Sequence, residues 1–246
     1  GATVRASHAG CGYFGVGDWA ERGMRIDDPN AVDGPDLNWK ALLGDAPARD
    51  FDVGRFFRWR MYKDYSGGPV TDLFPHSLTP VAYMLGLDIP DTAVAIGGKY
   101  RYEEREVPDT CNMLLDYDGR MTVAVLGTQG NNHSGMNARG AGGRCPTLRG
   151  WDGTLTVEKS EDGKADEIVF RPTEGATGTM QRITIDHPES VQQHWMNLLE
   201  CVRTRQQPRS EINLALHVQT ALQMAAKSQK EGKVARYDVE TGSLVI

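Results

Sequence analysis

Cysteine is scarce and scattered. The four in 246 residues, Cys11, Cys111, Cys145 and Cys201, include no Cys-x-x-Cys pair. That spacing argues against a zinc site or a dithiol redox motif and leaves buried free thiols as the expected state. Long apolar runs are also missing: nothing approaches the roughly 18 residues of a membrane span. No charged-then-apolar leader opens the chain either, so neither a membrane span nor a signal peptide is expected. Clusters of Lys and Arg interleaved with aromatics of the kind that bind nucleic acid do not occur, and 27 basic against 33 acidic residues leave a net charge of −6. A surface of that sign repels polyanions, so nucleic acid is not an expected partner. The expectation is a soluble protein, cytoplasmic or exported.

What is present is ordinary for a folded chain, 39% hydrophobic and 24% charged, with enough length for a sizeable core. Alternating apolar patterns mark strands at Thr92–Ile96, Thr110–Tyr117, Met121–Leu126, Thr154–Val157, Glu167–Phe170 and Gln181–Ile185. Asp118-Gly119 is a two-residue hairpin turn, which makes the second and third of these antiparallel. Helical patterns follow Asp36, Pro188-Glu189 and Ser210, the second with one apolar stripe of Val191, Trp195, Leu198, Leu199 and Val202 expected to be buried. The fold class is α+β, a single domain over residues 1–246 with a mostly antiparallel sheet of about six strands.

Residues 10–15 read Gly-Cys-Gly-Tyr-Phe-Gly, formally a dinucleotide fingerprint. That motif needs an apolar strand before it and a helix opening inside it. Arg5-Ala6-Ser7-His8-Ala9 is too polar for a buried parallel strand, so a rim loop is expected, with Trp19 offering a flat apolar surface to a polyhydroxylated ligand. The Gly- and Asn-rich interval 127–143 is the other long loop, on the substrate side or at a subunit contact.

The stretch from Tyr65 to Gly86 carries the chemistry. Gly67-Gly68 frees the backbone, Pro69 suits a first helical position and Gly86 a left-handed stop, so a helix lies between them. Asp72 and His76, four apart, share a face of such a helix as a carboxylate and an imidazole able to do acid/base work, and Pro75 is expected to kink the chain beside His76. Just upstream Arg55, Arg58 and Arg60 alternate with Phe56, Phe57, Trp59 and Tyr62. Such a stripe packs without any ligand, but its nearness to Gly68 makes Arg58, Arg60, Lys63 and Tyr65 candidates for binding hydroxyl or carboxylate groups.

Taken together, Phe51-Asp52, Arg55-Phe56-Phe57-Arg58-Trp59-Arg60, Asp64-Tyr65-Ser66-Gly67-Gly68 and Asp72-x3-His76 resemble the carboxy-terminal domain of the glucose-fructose oxidoreductase/inositol dehydrogenase/MocA family. One place departs: where the family usually has another Asp, this chain has Thr79. The resemblance implies an open sheet with helices on one face, and homo-oligomers formed through the uncovered face. It also implies NAD or NADP held by an amino-terminal Rossmann domain with a Glu-Lys-Pro segment. Neither that segment nor a valid phosphate loop occurs here, so the Rossmann domain is expected to be absent and no cofactor to be bound by this chain alone. The implied reaction is hydride transfer from a sugar or cyclitol carbon, with His76 as general base and Asp72 as its orienter. Two other readings stay open. One is a binding or assembly module without catalysis; the other is a cofactor-independent glycoside lyase or hydrolase using Asp72, His76, Asp64 and Glu103.

Overall fold

The computed structural model describes residues 2–7, 26, 28–117, 119–130, 146–186 and 190–246, of which 2–7 are described by their backbone. All six expected strands form: β2 (Thr92–Gly98), β3 (Thr110–Tyr117), β4 (Met121–Thr128), β6 (Gly153–Lys159), β7 (Asp166–Pro172) and β8 (Gln181–Thr184). Four short ones join them, β1 (Ala2–Ser7), β5 (Thr147–Arg149), β9 (Ala235–Asp238) and β10 (Ser243–Val245). Two antiparallel runs, β10-β9-β2-β3-β4 and β5-β6-β7-β8, are joined through β1, which pairs parallel with β4 and antiparallel with β5. The sheet stays open at both ends.

The expectation that the polar stretch before Gly10 forms no parallel strand is corrected over residues 5–7 of β1, where Arg5 pairs with Leu126 and Ser7 with Thr128; residues 8 and 9 lie outside the described residues. Backbone pairing accepts a polar strand when the neighbouring strands supply the partners. Gly10–Gly15 and Trp19, which follow it, lie outside the described residues, as do Cys11, Cys145 and residues 131–143 of the second loop. Among the described residues Cys111 and Cys201 are free and buried, as expected, and no helix is long and apolar enough to cross a membrane.

Among the described residues six α-helices accompany the sheet: α1 (Trp39–Leu43), α2 (Val53–Phe57), α3 (Pro69–Asp72), α4 (Phe74–Leu85), α5 (Val191–Thr204) and α6 (Ile212–Glu231). Four of them start at a side-chain cap, and α3 and α4 start instead with a proline in the first turn. Asn38, Asp52 and Ser190 accept backbone N–H groups of α1, α2 and α5, and Glu211, one residue beyond the expected Ser210, caps α6. α6 lies on β2 and against α4, putting Val218, Leu222 and Ala225 beside Phe74, Leu78 and Val81 of α4. Ala93, Met113, Leu115, Val123 and Val125 complete this core from one face of the sheet, in step with the two-residue period of the strands.

The stripe on α5 is apolar as expected but not buried: Trp195 is 58% exposed and Val202 55%. Helical spacing reveals which face is apolar, and only a neighbouring element can cover it. Cys201 is the buried residue of α5.

Candidate functional site

The chain reaches the site through a tight approach. Asp52 caps α2, a single 3₁₀ turn runs over Trp59–Met61, and Gly68 enters α3 with φ +75° and ψ −156°. That conformation is accessible essentially to glycine alone, and Pro108 O would lie 3.0 Å from any Cβ there. Pro69 then occupies the first turn of α3 as its ring geometry favours. The expected helix is two: α3 ends at Asp72, Leu73 intervenes, and α4 starts with Pro75 in its first turn. Pro75 has no N–H to give, and the His76 N–H reaches Leu73 O at 3.1 Å, three residues back instead of four. The turn is tighter than α-helical, so the four-residue spacing no longer stacks Asp72 directly under His76.

His76 is exposed in the first turn of α4, and no hydrogen bond joins it to Asp72. Asp72 is instead held by Arg60, whose Nε donates to Oδ2 at 3.1 Å, with both side chains about three-quarters buried. The Arg60 guanidinium also lies 4.0 Å over the Trp59 ring, so cation and carboxylate are fixed against an aromatic plate. Arg60, expected at the rim as a substrate donor, is therefore engaged with Asp72. Arg58 ends α2, half-buried, and Tyr65 is half-buried just before Gly67. Lys63 borders a separate cavity between α6 and the β2–β3 connection. Thr79 lies one turn beyond His76 on α4, half-buried.

Asp64, the carboxylate considered for glycoside chemistry, is clamped by two guanidinium groups, Arg49 at 2.7 Å and Arg55 at 2.8 Å. Arg55 also reaches Glu106 at 3.3 Å and covers the Tyr62 ring at 4.3 Å. This network, with the Glu106 N–H donating to Met61 O, fastens the β2–β3 connection to the segment that presents Arg60 and Asp72.

Beneath it lies a buried polar group that the sequence did not single out. Arg105 is 2% exposed and donates to Gln129 Oε1. Burial pushes its guanidinium down to about 10, opposed by the charges of Asp109, Glu104, Tyr102 and Asp72, so Asp72 is within electrostatic reach of Arg105 as well as bonded to Arg60. Asp109 is fully buried. Burial alone would raise its carboxyl, but the N–H groups of Arg101, Tyr102 and Tyr100 and the Thr110 hydroxyl all donate to it and hold it below the usual range. A fixed carboxylate with paired cations and an accessible imidazole one turn away can orient a hydroxylated ligand and accept its proton. For a dinucleotide the fit is poor: among the described residues no strand-to-helix turn offers a glycine-rich phosphate cradle.

The family model for the oxidoreductase family C-terminal alpha/beta domain matches residues 46–239. No curated protein matches the chain in sequence. Among solved structures, an aldose-aldose oxidoreductase from Caulobacter crescentus complexed with glycerol superposes with TM-score 0.52 at 18% identity, covering 72% of this chain and 50% of its own. An NAD-binding protein from Listeria innocua gives 0.51 at 17%, covering 72% and 50%. A protein from Desulfitobacterium hafniense assigned as an NADPH-dependent oxidoreductase gives 0.52 at 14%, covering 69% and 48%. At these identities the likeness is one of fold, and the chain spans about half the length of each. The family match extends over well more than half of the sequence, across the segments that place Arg60, Asp72 and His76, so the chain belongs to the glucose-fructose oxidoreductase/inositol dehydrogenase/MocA family as its C-terminal domain.

Proposed function

We propose that the chain is the substrate-binding and oligomerisation part of an NAD(P)-dependent oxidoreductase acting on a sugar or cyclitol, with His76 as the general base. The observation that carries this reading is the exposed imidazole four residues after Asp72, a carboxylate anchored by Arg60, in a chain of this family. A secondary alcohol is oxidised by losing a hydride from carbon and a proton from oxygen. NAD or NADP, expected for the complete protein, would supply the hydride acceptor. His76 takes the proton on an imidazole nitrogen. Asp72, fixed by Arg60, offers negative charge to the imidazolium that results and an acceptor to a neighbouring substrate hydroxyl, so it acts as an orienter without needing a direct bond to the ring in the unliganded chain. Polyhydroxylated substrates suit such an array of donors and acceptors. The Caulobacter protein, named for aldoses and holding glycerol, has the same fold and supports that class.

The test is turnover by the complete protein with NAD or NADP over a panel of aldoses and inositols. Positioned base catalysis contributes about 10²- to 10⁴-fold, so His76→Ala lowers kcat by that order while substrate affinity changes little. Unchanged turnover would remove His76 from the mechanism.

Assembly is the second part of the reading. Val94, Ile96 and Leu114 lie on the sheet face turned away from the helices, Ile96 being 72% exposed, and an exposed apolar sheet face of this kind favours a second copy of the chain.

A further inference from the structure

Between the end of α6, the β2–β3 connection and the Gly67-Gly68 entry to α3 lies a cavity of about 640 Å³, separate from the Asp72–Arg60 pair. That volume is within the roughly 300–1,000 Å³ of small-molecule sites. Three lysines line it from three different parts of the chain: Lys63 after the 3₁₀ turn, Lys99 after β2 and Lys230 in the last turn of α6. Among the described residues none of the three forms an ion pair with a carboxylate; Lys99 Nζ reaches only the carbonyl of Glu103, at 3.4 Å. The one acidic liner, Glu106, is already engaged on both oxygens, Oε1 with Arg55 and Oε2 with the Lys63 N–H at 2.9 Å. The cavity is thus cationic on a chain whose net charge is −6.

Its walls are shaped as well as charged. Gly97 cannot carry a side chain, because a Cβ would meet Thr110 O at 2.1 Å, and Gly98 and Gly67 continue the bare backbone. Val107, Pro108 and Ala226 give an apolar strip beside these donors. Lysine ammonium groups are compact point charges suited to phosphoryl oxygens, and the apolar strip and volume leave room for a carbon skeleton.

We propose that this cavity binds the phosphoryl group of a small phosphorylated metabolite, at a place distinct from the oxidoreductase site. Isothermal titration of the full chain at fixed ionic strength tests it, with glucose 6-phosphate, inorganic phosphate and glucose as probes. Glucose 6-phosphate is expected to bind saturably and glucose not to bind there; saturable binding of inorganic phosphate alone would support the site and identify free phosphate as a second source. The Lys63→Gln/Lys230→Gln pair, exposed and outside the core, should weaken phosphate-bearing probes about tenfold with unchanged melting temperature, while Lys164→Gln, in the β6–β7 turn, changes nothing. Absence of saturable binding, or equal affinity in the double variant, overturns the proposal, and either result is independent of turnover at His76.

Discussion

Asp109 shows how a single residue holds the site's foundation together. Its carboxylate closes the β2–β3 connection by accepting three backbone N–H groups on Oδ2, from Tyr100, Arg101 and Tyr102. Its folded-state value lies below the unfolded value of about 3.9, so its stabilisation is fully present above that pH and is lost as the pH falls through the folded value. Asp109→Asn turns an amide towards those donors, and a loss of about 3 kcal/mol at neutral pH is expected from urea unfolding. The deficit should shrink as the titration is repeated at acid pH; a pH-independent deficit would show that shape, not charge, matters there. Arg60 and Asp72 call for a different measurement. In a double-mutant cycle with Arg60→Ala and Asp72→Asn, their largely buried, charge-assisted bond should appear as a coupling of about 1 kcal/mol, and a coupling near zero would mean the pair is incidental. Asp72 and His76 were legible in the sequence because glycines and prolines frame them within one short segment. The Arg60 bond spans 12 residues across a 3₁₀ turn, and the Arg105–Gln129 bond joins residues 24 apart through the sheet, so neither leaves a local pattern.

At the scale of elements, the two glycines flanking the α3–α4 unit make different demands. Gly86 ends α4 in the left-handed region, φ +60°, with open space where a Cβ would go. Gly68 starts α3 at φ +75° and ψ −156° against the carbonyl of Pro108. Gly86→Ala should therefore cost only the left-handed strain, about 1 kcal/mol, and Gly68→Ala about 2–3 kcal/mol because steric contact adds to an essentially glycine-only conformation. Urea midpoints of the two variants measured side by side check the ranking, and equal losses would contradict it. The same contrast explains what sequence could reveal about the elements. The start at Gly68-Pro69 and the stop at Gly86 were readable, since they depend on the residues themselves. The break at Leu73 was not, because it depends on which carbonyl the His76 N–H finds. Strands of seven or eight residues announced themselves by alternation, whereas β5 and β10, at three residues each, are too short to display a period.

For the whole molecule, the question is what its uncovered surfaces are for. One face of β2–β4 is sealed by α4 and α6, with Met113 and Val125 completely buried, while the alternate residues Ile96 and Leu114 stand 72% and 51% exposed. The outer face sets Val94, Ile96 and Leu114 as an exposed apolar patch among Thr92, Asn112, Asp116 and Thr122, and such a patch fits a partly covered sheet face. The second run differs: one side carries the charged set Glu158, Arg171, Glu167 and Arg182, whose ion pairs hold Glu158 down to about 2, and Ile168 and Ile183 lie on the other. If two copies pair through the first run as proposed, Ile96→Glu places like charges opposite each other at a self-complementary contact, where each copy presents the same patch. Because Ile96 is mostly exposed within one chain, the variant should keep the melting temperature of the isolated chain while sedimentation velocity shows a shift to smaller species. Asp162→Asn, in the exposed β6–β7 turn, serves as a charge-changing control that should leave the mass unaltered. An unchanged mass for Ile96→Glu would assign the exposed apolar face to some other covering, and a loss of folding would show that Ile96 belongs to the core despite its exposure.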